Sequence, residues 1–298
     1  MTVPIVKPTS SGRPALKCPR VARSSPGLER RCSQGAAIPA AEGGSSVLTV
    51  ERGLQVLRAF RGSRNPLSNA ELVRRTGLSK ATVSRLTSTL MQLDFLRHVP
   101  GGREFELDTG PLSIGLAFVE ASPLIRRAEP LMQELADKVN GSVALAIGNQ
   151  LDMLYIAYRI SHRIATLRMG VGSILPMGAT SIGRAWLWAL PSAQQKALIS
   201  ALRREAGSQG TQMERGIREG FAELEETGVC SVLSGFQRDT YGISVPVHIG
   251  VQRVLMAMSC GAADLEPNLA AARQRMVPDL RKAAVEIEKL LADLDGMP

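Results

Sequence analysis

The sequence predicts an α+β chain of two folded domains, a small N-terminal unit of three helices closed by a β-hairpin and a larger unit on an antiparallel sheet. Three observations predict it. Apolar residues recur at helical spacing between Val47 and Leu93 and then alternate with polar ones from Phe95 to Leu107. Beyond residue 123, helix-period stretches are interleaved with strands joined by short turns, which favours antiparallel pairing. Excess positive charge is confined to the front of the chain. Residues 1–46 carry seven basic against two acidic side chains, 47–110 ten against six, and 111–298 nineteen against nineteen, within a net charge of +9. A polyanion-binding module joined to a non-electrostatic one gives this pattern, and so does an incidentally basic surface.

At 298 residues and 44% hydrophobic content the chain can bury the cores of two domains. No apolar run reaches the roughly 18 residues of a membrane helix, and the N-terminus lacks the apolar core of a secretory signal. A soluble, cytoplasmic protein with no membrane partner is expected. Cys18, Cys32, Cys230 and Cys260 fall at no metal-ligand spacing, so reduced thiols, no metal and no cofactor are expected.

Residues 1–46 are rich in Pro, Gly, Ser and Arg without apolar periodicity, and are read as a disordered basic tail. It either adds nonspecific phosphate contacts or is an inert extension. The first domain is placed at 47–110. Val50, Leu54, Leu57 and Phe60, with Val56 beside them, form the stripe of a first helix that Arg61-Gly62-Ser63 stops. Ser68 followed by Glu71 is a capping-box pattern opening a short second helix through Leu72 and Val73. That helix ends near Thr76-Gly77, and Ser79 caps a third whose inward stripe is Val83, Leu86, Leu90 and Leu93. Residues 95–99 and 103–107 flank Pro100-Gly101-Gly102 as a hairpin wing. Pro111 to Ser122 reads as a linker helix, and 123–296 as the second domain. There, helices are expected at 123–139, 181–190, 192–204, 213–227 and 267–294, and strands at 143–147, 153–158, 229–233, 243–249 and 254–260.

Two short helices meeting at a glycine turn, the second with a polar N-terminal face, form a winged helix-turn-helix suited to the DNA major groove. Ser68, Ser79, Lys80, Thr82, Ser84 and Arg85 offer hydroxyl, ammonium and guanidinium donors to phosphates and base edges, with Arg85 the candidate base contact. In the wing, Arg97, His98 and Arg103 are either phosphate or minor-groove contacts or ordinary surface residues.

Four segments carry a family likeness in order and spacing: Val50-Glu51-Arg52-Gly53-Leu54-Gln55-Val56-Leu57; Gly77 to Leu86; Gly172 to Ala185; and Ile243-Ser244-Val245-Pro246-Val247-His248. From residue 47 to about 290 the chain resembles the isocitrate lyase regulator (IclR) family of bacterial transcription factors. The resemblance implies a homodimer or homotetramer on palindromic double-stranded DNA operators, and a GAF-like domain that senses a small-molecule effector, usually an organic acid or aromatic metabolite. It implies Gly178, Ala179, Thr180, Ser244 and Cys260 as effector-pocket candidates. The chain departs from the family pattern at Val232 and Gly235, where polar residues are usual, and reads Met258-Ser259-Cys260-Gly261 in its last strand. Either the pocket is more apolar, or effector binding has been lost and the regulator is constitutive.

Trp186 and Trp188, two apart on a helix, face different ways, so at least one belongs to the core rather than to a ligand. Cys230 and Cys260 are redox partners only if close in space, and buried hydrophobes otherwise. Gly170-Val171-Gly172 lacks the third glycine of a dinucleotide loop and is read as a turn. An enzyme would have to recruit Ser244 or Asp239 with His248. Residues i and i+4 on a strand are about 13 Å apart, and no nucleophile elbow or phosphate loop accompanies them, so no catalytic residue is assigned. A helix-turn-helix adaptor that does not read DNA is disfavoured by the basic first domain.

Overall fold

The computed structural model describes residues 47–61, 65–162, 169–264 and 268–295. The expected tail at 1–46 with Cys18 and Cys32, the helix stop at Gly62-Ser63, and residues 267 and 296 lie outside the described residues.

The first domain holds α1 (Leu48–Arg58), α2 (Asn69–Thr76), α3 (Lys80–Gln92), β1 (Leu96–His98) and β2 (Phe105–Leu107). Its core gathers Val56, Phe60, Leu67, Leu72, Val83, Leu90, Leu96 and Phe105. The stripe expected for α1 is partly wrong: Val56, Ala59 and Phe60 are buried, whereas Val50 and Leu54 are 59% and 49% exposed. Periodicity admits a wide apolar arc, and only the part facing the other two helices finds partners. In α3, likewise, Val83 and Leu90 are buried but Leu93 is 58% exposed.

Ser68 caps α2, accepting from the Glu71 amide at 3.2 Å. Only this half of the capping box forms, because the Glu71 carboxylate turns to Arg74 and Arg75 instead. Gly77 takes φ +70° and its amide closes α2 onto the Val73 carbonyl, a left-handed cap that strains any residue with a Cβ. The wing pairs Leu96 with Leu107, Arg97 with Glu106 and His98 with Phe105. Leu67 and Phe105 exchange two backbone hydrogen bonds, tying the wing to the loop before α2.

The linker helix is α4 (Gly110–Ala121), which buries none of its residues. Ser122 lies outside it and caps α5 (Pro123–Val139) by accepting from the Ile125 amide.

The second domain is a six-stranded antiparallel sheet in the order β5-β4-β3-β8-β7-β6. Its strands are β3 (Ser142–Asn149), β4 (Asp152–Ile160), β5 (Ile174–Pro176), β6 (Cys230–Leu233), β7 (Thr240–Ile249) and β8 (Val254–Ala263). The short β5 was not expected from the sequence; it pairs with β4 just after the Gly172 turn. On one face α5 and α9 (Leu269–Leu290) pack over Val143, Leu145, Ile243, Val245, Met258 and Cys260. Towards the other lie α6 (Ser181–Trp188), α7 (Ser192–Glu205) and α8 (Gly210–Thr227).

Strand alternation sets a contrast between the faces. Against α5 and α9 the central strands present Ile, Val, Leu and Met, whereas the alternate positions Ser142, Ala144, Gly242, Ser244, Ser259 and Gly261 are small. A bulge breaks the alternation in β4, where Leu145 pairs with Ala157 but Ala146 with Tyr155. Ile156 and Ala157 therefore both join the α5–α9 core. Tyr155 and Tyr158, three apart, come to the same face with ring centroids 5.9 Å apart.

Candidate nucleic-acid interface and ligand cavity

Ser79 caps α3, its hydroxyl accepting from the Thr82 amide and lying 2.9 Å from Thr82 Oγ1. The burial of Val83, Thr87 and Leu90 turns the opposite side of α3 to solvent, and Ser79, Lys80, Ser84 and Arg85 are exposed there, with Thr82 half-buried.

Ion pairing sorts the basic residues. Arg74 and Arg75 share Glu71, and these hydrogen bonds hold its carboxyl down to about 2. Arg97 pairs with Glu106 across the wing at 2.9 Å, so its charge is largely answered within the protein. Among the described residues, Lys80, Arg85 and Arg103 carry no ion pair. Two of these lie in the first half of α3 and the third sits in the wing turn, where backbone phosphates and base edges would meet an inserted helix and its wing.

In the second domain the small-residue face of the sheet leaves a cavity of about 70 Å³, several times the roughly 10–15 Å³ that one water needs. Its floor is Ser142, Ala144, Gly242, Ser259 and Gly261, its wall Tyr155, Met169, Leu175 and the start of α6, and its rim Val232, Gly235, Phe236 and Gln237. No Asp, Glu, Lys, Arg or His lines it among the described residues. Burial raises the phenols of Tyr155 and Tyr158, keeping both neutral.

The start of α6 is held tightly. Thr180 Oγ1 donates to the Pro176 carbonyl and accepts from the Gly183 amide. A Cβ on Gly183 would stand 2.0 Å from the Met177 carbonyl oxygen, so the turn closes this far only over glycine. At the back of the cavity Ser181 Oγ lies 2.8 Å from Ser244 Oγ, which donates to Ser259 Oγ at 2.9 Å. Ser244 and Ser259 face each other across β7 and β8.

Of the five pocket candidates, Thr180 alone lines the cavity. Ser244 is wholly buried behind it and reaches it only through Ser181 and Ser259. Gly178 packs on Met213 and Ile217, and Ala179 lies under Gly235 beside the rim. Cys260 has to be corrected: one residue along from Ser259, it points to the opposite face of the sheet and sits in the α5–α9 core. Ser142, Tyr155, Ser181, Gly242 and Ser259 were missed. Knowing that Ser244 opposes Ser259 would have found three of them by parity, but strand register is a long-range property.

Cys230 packs with Ala185 and Leu224 on the α6 side, so the sheet separates it from Cys260. Burial pushes the Cys230 thiol up to about 12 and raises that of Cys260 as well. Both are free, buried and unreactive rather than redox partners. Trp186 packs beside Leu187 with its Nε1 donating to the Leu255 carbonyl, while Trp188 packs near Cys230. The Ser244 hydroxyl is taken by two serines and His248 lies beside Glu288, so no nucleophile–base pair forms between them.

A winged helix-turn-helix with unpaired cations on its second helix, followed by a cavity-bearing antiparallel sheet domain, defines a DNA-binding transcriptional regulator. Residues 49–100 match the IclR helix-turn-helix domain, and residues 116–289 the bacterial transcriptional regulator IclR C-terminal domain. The chain belongs to the IclR family. It is 28% identical over 245 residues to the HTH-type transcriptional regulator TsaQ1/TsaQ2 of Comamonas testosteroni, covering 81% of this chain and 87% of that one. The crystal structure of an IclR family transcriptional regulator from Brucella abortus superposes with a TM-score of 0.76 at 30% identity, over 83% of this chain and 94% of that one. An IclR homologue from Microbacterium hydrocarbonoxydans complexed with 4-hydroxybenzoate shares the fold, with a TM-score of 0.57, 20% identity and coverage of 82% and 98%. Both domain families are those of transcriptional regulators rather than of enzymes. No helix among the described residues is long and apolar enough to cross a membrane.

Proposed function

We propose that the chain binds a palindromic DNA operator as a homodimer or homotetramer, and that a small organic ligand held on the sheet of its second domain sets operator affinity. The observation that carries this reading is the pairing, within one chain, of a recognition helix whose Lys80 and Arg85 carry no ion pair among the described residues with a cavity on the sheet of the second domain. Ser68, Ser79, Lys80, Thr82, Ser84, Arg85 and Arg103 are the DNA-facing set, with Arg85 reading a base and the capping serines on phosphates. Arg97 drops to a secondary role because Glu106 neutralises it.

The oligomer is supported by apolar side chains without partners in one chain. Leu48, Val50 and Leu54 on α1, and Leu112, Ile114, Leu116 and Phe118 on α4, are all exposed. Isolated exposed residues are ordinary, but two helices that each carry such a set are suited to covering by a second copy. A two-fold arrangement through these helices presents two recognition helices to two half-sites. A ligand that favours one arrangement shifts their spacing, with α4 as the transmitting element. The relative holding 4-hydroxybenzoate makes ring compounds a sensible start for a ligand screen. Action on DNA also places the protein in the cytoplasm.

The test is selection of bound sequences from random duplexes, with the wild-type chain and with Arg85→Ala. An enriched palindrome that is lost in the variant is expected. No enrichment at moderate salt would sink the operator reading. The recovered operator then allows metabolites to be screened for a change in its affinity.

A further inference from the structure

The wing holds its charge differently from α3. Arg97 on β1 and Glu106 on β2 are directly opposed in the register, and Arg97 Nη2 lies 2.9 Å from Glu106 Oε1. Strand alternation sends Leu96 and Phe105 into the core and turns this pair to the outer face, where Arg97 is 57% exposed. Its neighbours are engaged elsewhere: His98 stacks on the Phe105 ring with centroids 4.7 Å apart, and Asp108 Oδ1 accepts from the Thr109 amide. Among the described residues Glu106 is the ion-pair partner of Arg97, and Arg103 in the wing turn has none.

The pair also lies beside the helix-turn-helix. Phe105, next to Glu106, exchanges two backbone hydrogen bonds with Leu67, at 2.8 and 2.9 Å. Leu67 immediately precedes Ser68, the cap of α2. The strand that bears Glu106 is therefore one strand spacing, about 4.8 Å, from the residue before that cap.

Sequence-independent affinity for DNA comes from counterions released when cations meet phosphates, and each neutralised phosphate contributes about 0.9 to the slope of log affinity against log salt. An arginine in contact with a carboxylate is a neutral unit. Brought to a phosphate, it releases no net counterion. An exposed pair is weak, but the effect does not depend on its strength: a phosphate that draws Arg97 away still has the Glu106 carboxylate beside it. Resting on the reading of the first domain as the DNA-binding module, we propose that Glu106 is a built-in counter-charge that limits affinity for DNA of any sequence by cancelling Arg97. Sequence-independent binding is then left to Lys80, Arg103 and the capped helix starts, while Arg85 keeps its reading of a base.

The experiment is binding of the full chain to a mixed-sequence duplex over a range of salt, read by fluorescence anisotropy. It compares the wild type, Glu106→Gln, and Glu106→Gln combined with Arg97→Ala. Both substitutions leave Leu96 and Phe105, the core positions of the wing, untouched. Glu106→Gln frees one cation, so affinity is expected to rise by roughly fivefold or more at about 50 mM salt, with the slope steeper by about 0.9. Adding Arg97→Ala removes the freed cation and both gains with it. An operator recovered by selection should gain as much as the mixed-sequence duplex, since phosphate contacts carry no sequence information. If Glu106 merely braced the hairpin, Glu106→Gln would lower affinity and melting temperature with no steeper slope, and the proposal would fall. An unmoved slope in Glu106→Gln would sink it as well. A double variant with a shallower slope than the wild type would place Arg97 on a phosphate despite Glu106, and a gain confined to the operator would make Arg97 a base reader; either result overturns the proposal. In all these cases duplex binding by the wild type leaves the regulator reading standing, whereas a wild-type chain that bound no duplex even at low salt would end both.

Discussion

Two residues of like charge in the recognition region have different work, and substitution separates them. If Arg85 reads a base as proposed, truncation to Ala is expected to cost about 1–3 kcal/mol of discrimination, seen as relaxed preference at a single operator position. Lys80→Ala should weaken all sequences alike and reduce the slope of log affinity against log salt by about one; a sequence-selective loss would contradict a phosphate role. Glu71 acts on stability. Its carboxyl is held near 2 by Arg74 and Arg75, against an ordinary 4.5. The stabilisation is therefore present at neutral pH and lost as pH falls from 4.5 towards 2. Glu71→Gln should lower the melting temperature of the first domain at pH 7 and converge with the wild type in strong acid. Equal loss at both extremes would show that packing, not charge, holds α2. The two described cysteines give a contrary case: with Cys18 and Cys32 replaced by Ser, Cys230 and Cys260 should resist thiol reagents near about pH 8 until the chain unfolds, because burial raises both thiols.

Among elements, the informative ones are those with apolar residues in excess of what the chain can cover. The helix α4 has exposed leucines at 112 and 116, one turn apart, and Leu112 is 71% exposed. Leu112→Glu with Leu116→Glu is expected to shift sedimentation from dimer to monomer at micromolar concentration and to cost operator affinity with it, since two half-sites would no longer be held together. An unchanged sedimentation profile would move the interface elsewhere. The element α3 was readable in outline because its N-cap, glycine turn and inward stripe are local features. For α1 the stripe was only partly right, since Val50 and Leu54 fit the helical period as well as Val56, Leu57 and Phe60 do but are exposed. In β4 the alternation predicted for a strand holds until the bulge, and it is the bulge that brings Tyr155 and Tyr158 to one face of the sheet.

For the whole molecule the prediction is coupling. A ligand that distinguishes two arrangements of the recognition helices should change operator affinity by about 5–150-fold. A cavity ligand that raised the melting temperature of the second domain and left operator affinity untouched would show that the two sites are not linked. The coupling is argued from the helical connection through α4, whose apolar face is free in a single chain.

The sequence by itself determined the class of this protein, the order of its domains and the recognition helix, because these rest on short-range signals: N-caps at Ser68 and Ser79, a left-handed turn at Gly77, helical and strand periods, and the placement of charge. Only the tertiary structure decided which residues share a cavity. Ser181, Gly242 and Ser259 converge through strand register and the docking of α6, which join positions up to 78 residues apart. A shift of a single residue along a strand reverses its face. That parity sends Cys260 into the core and leaves Ser259 on the floor of the cavity.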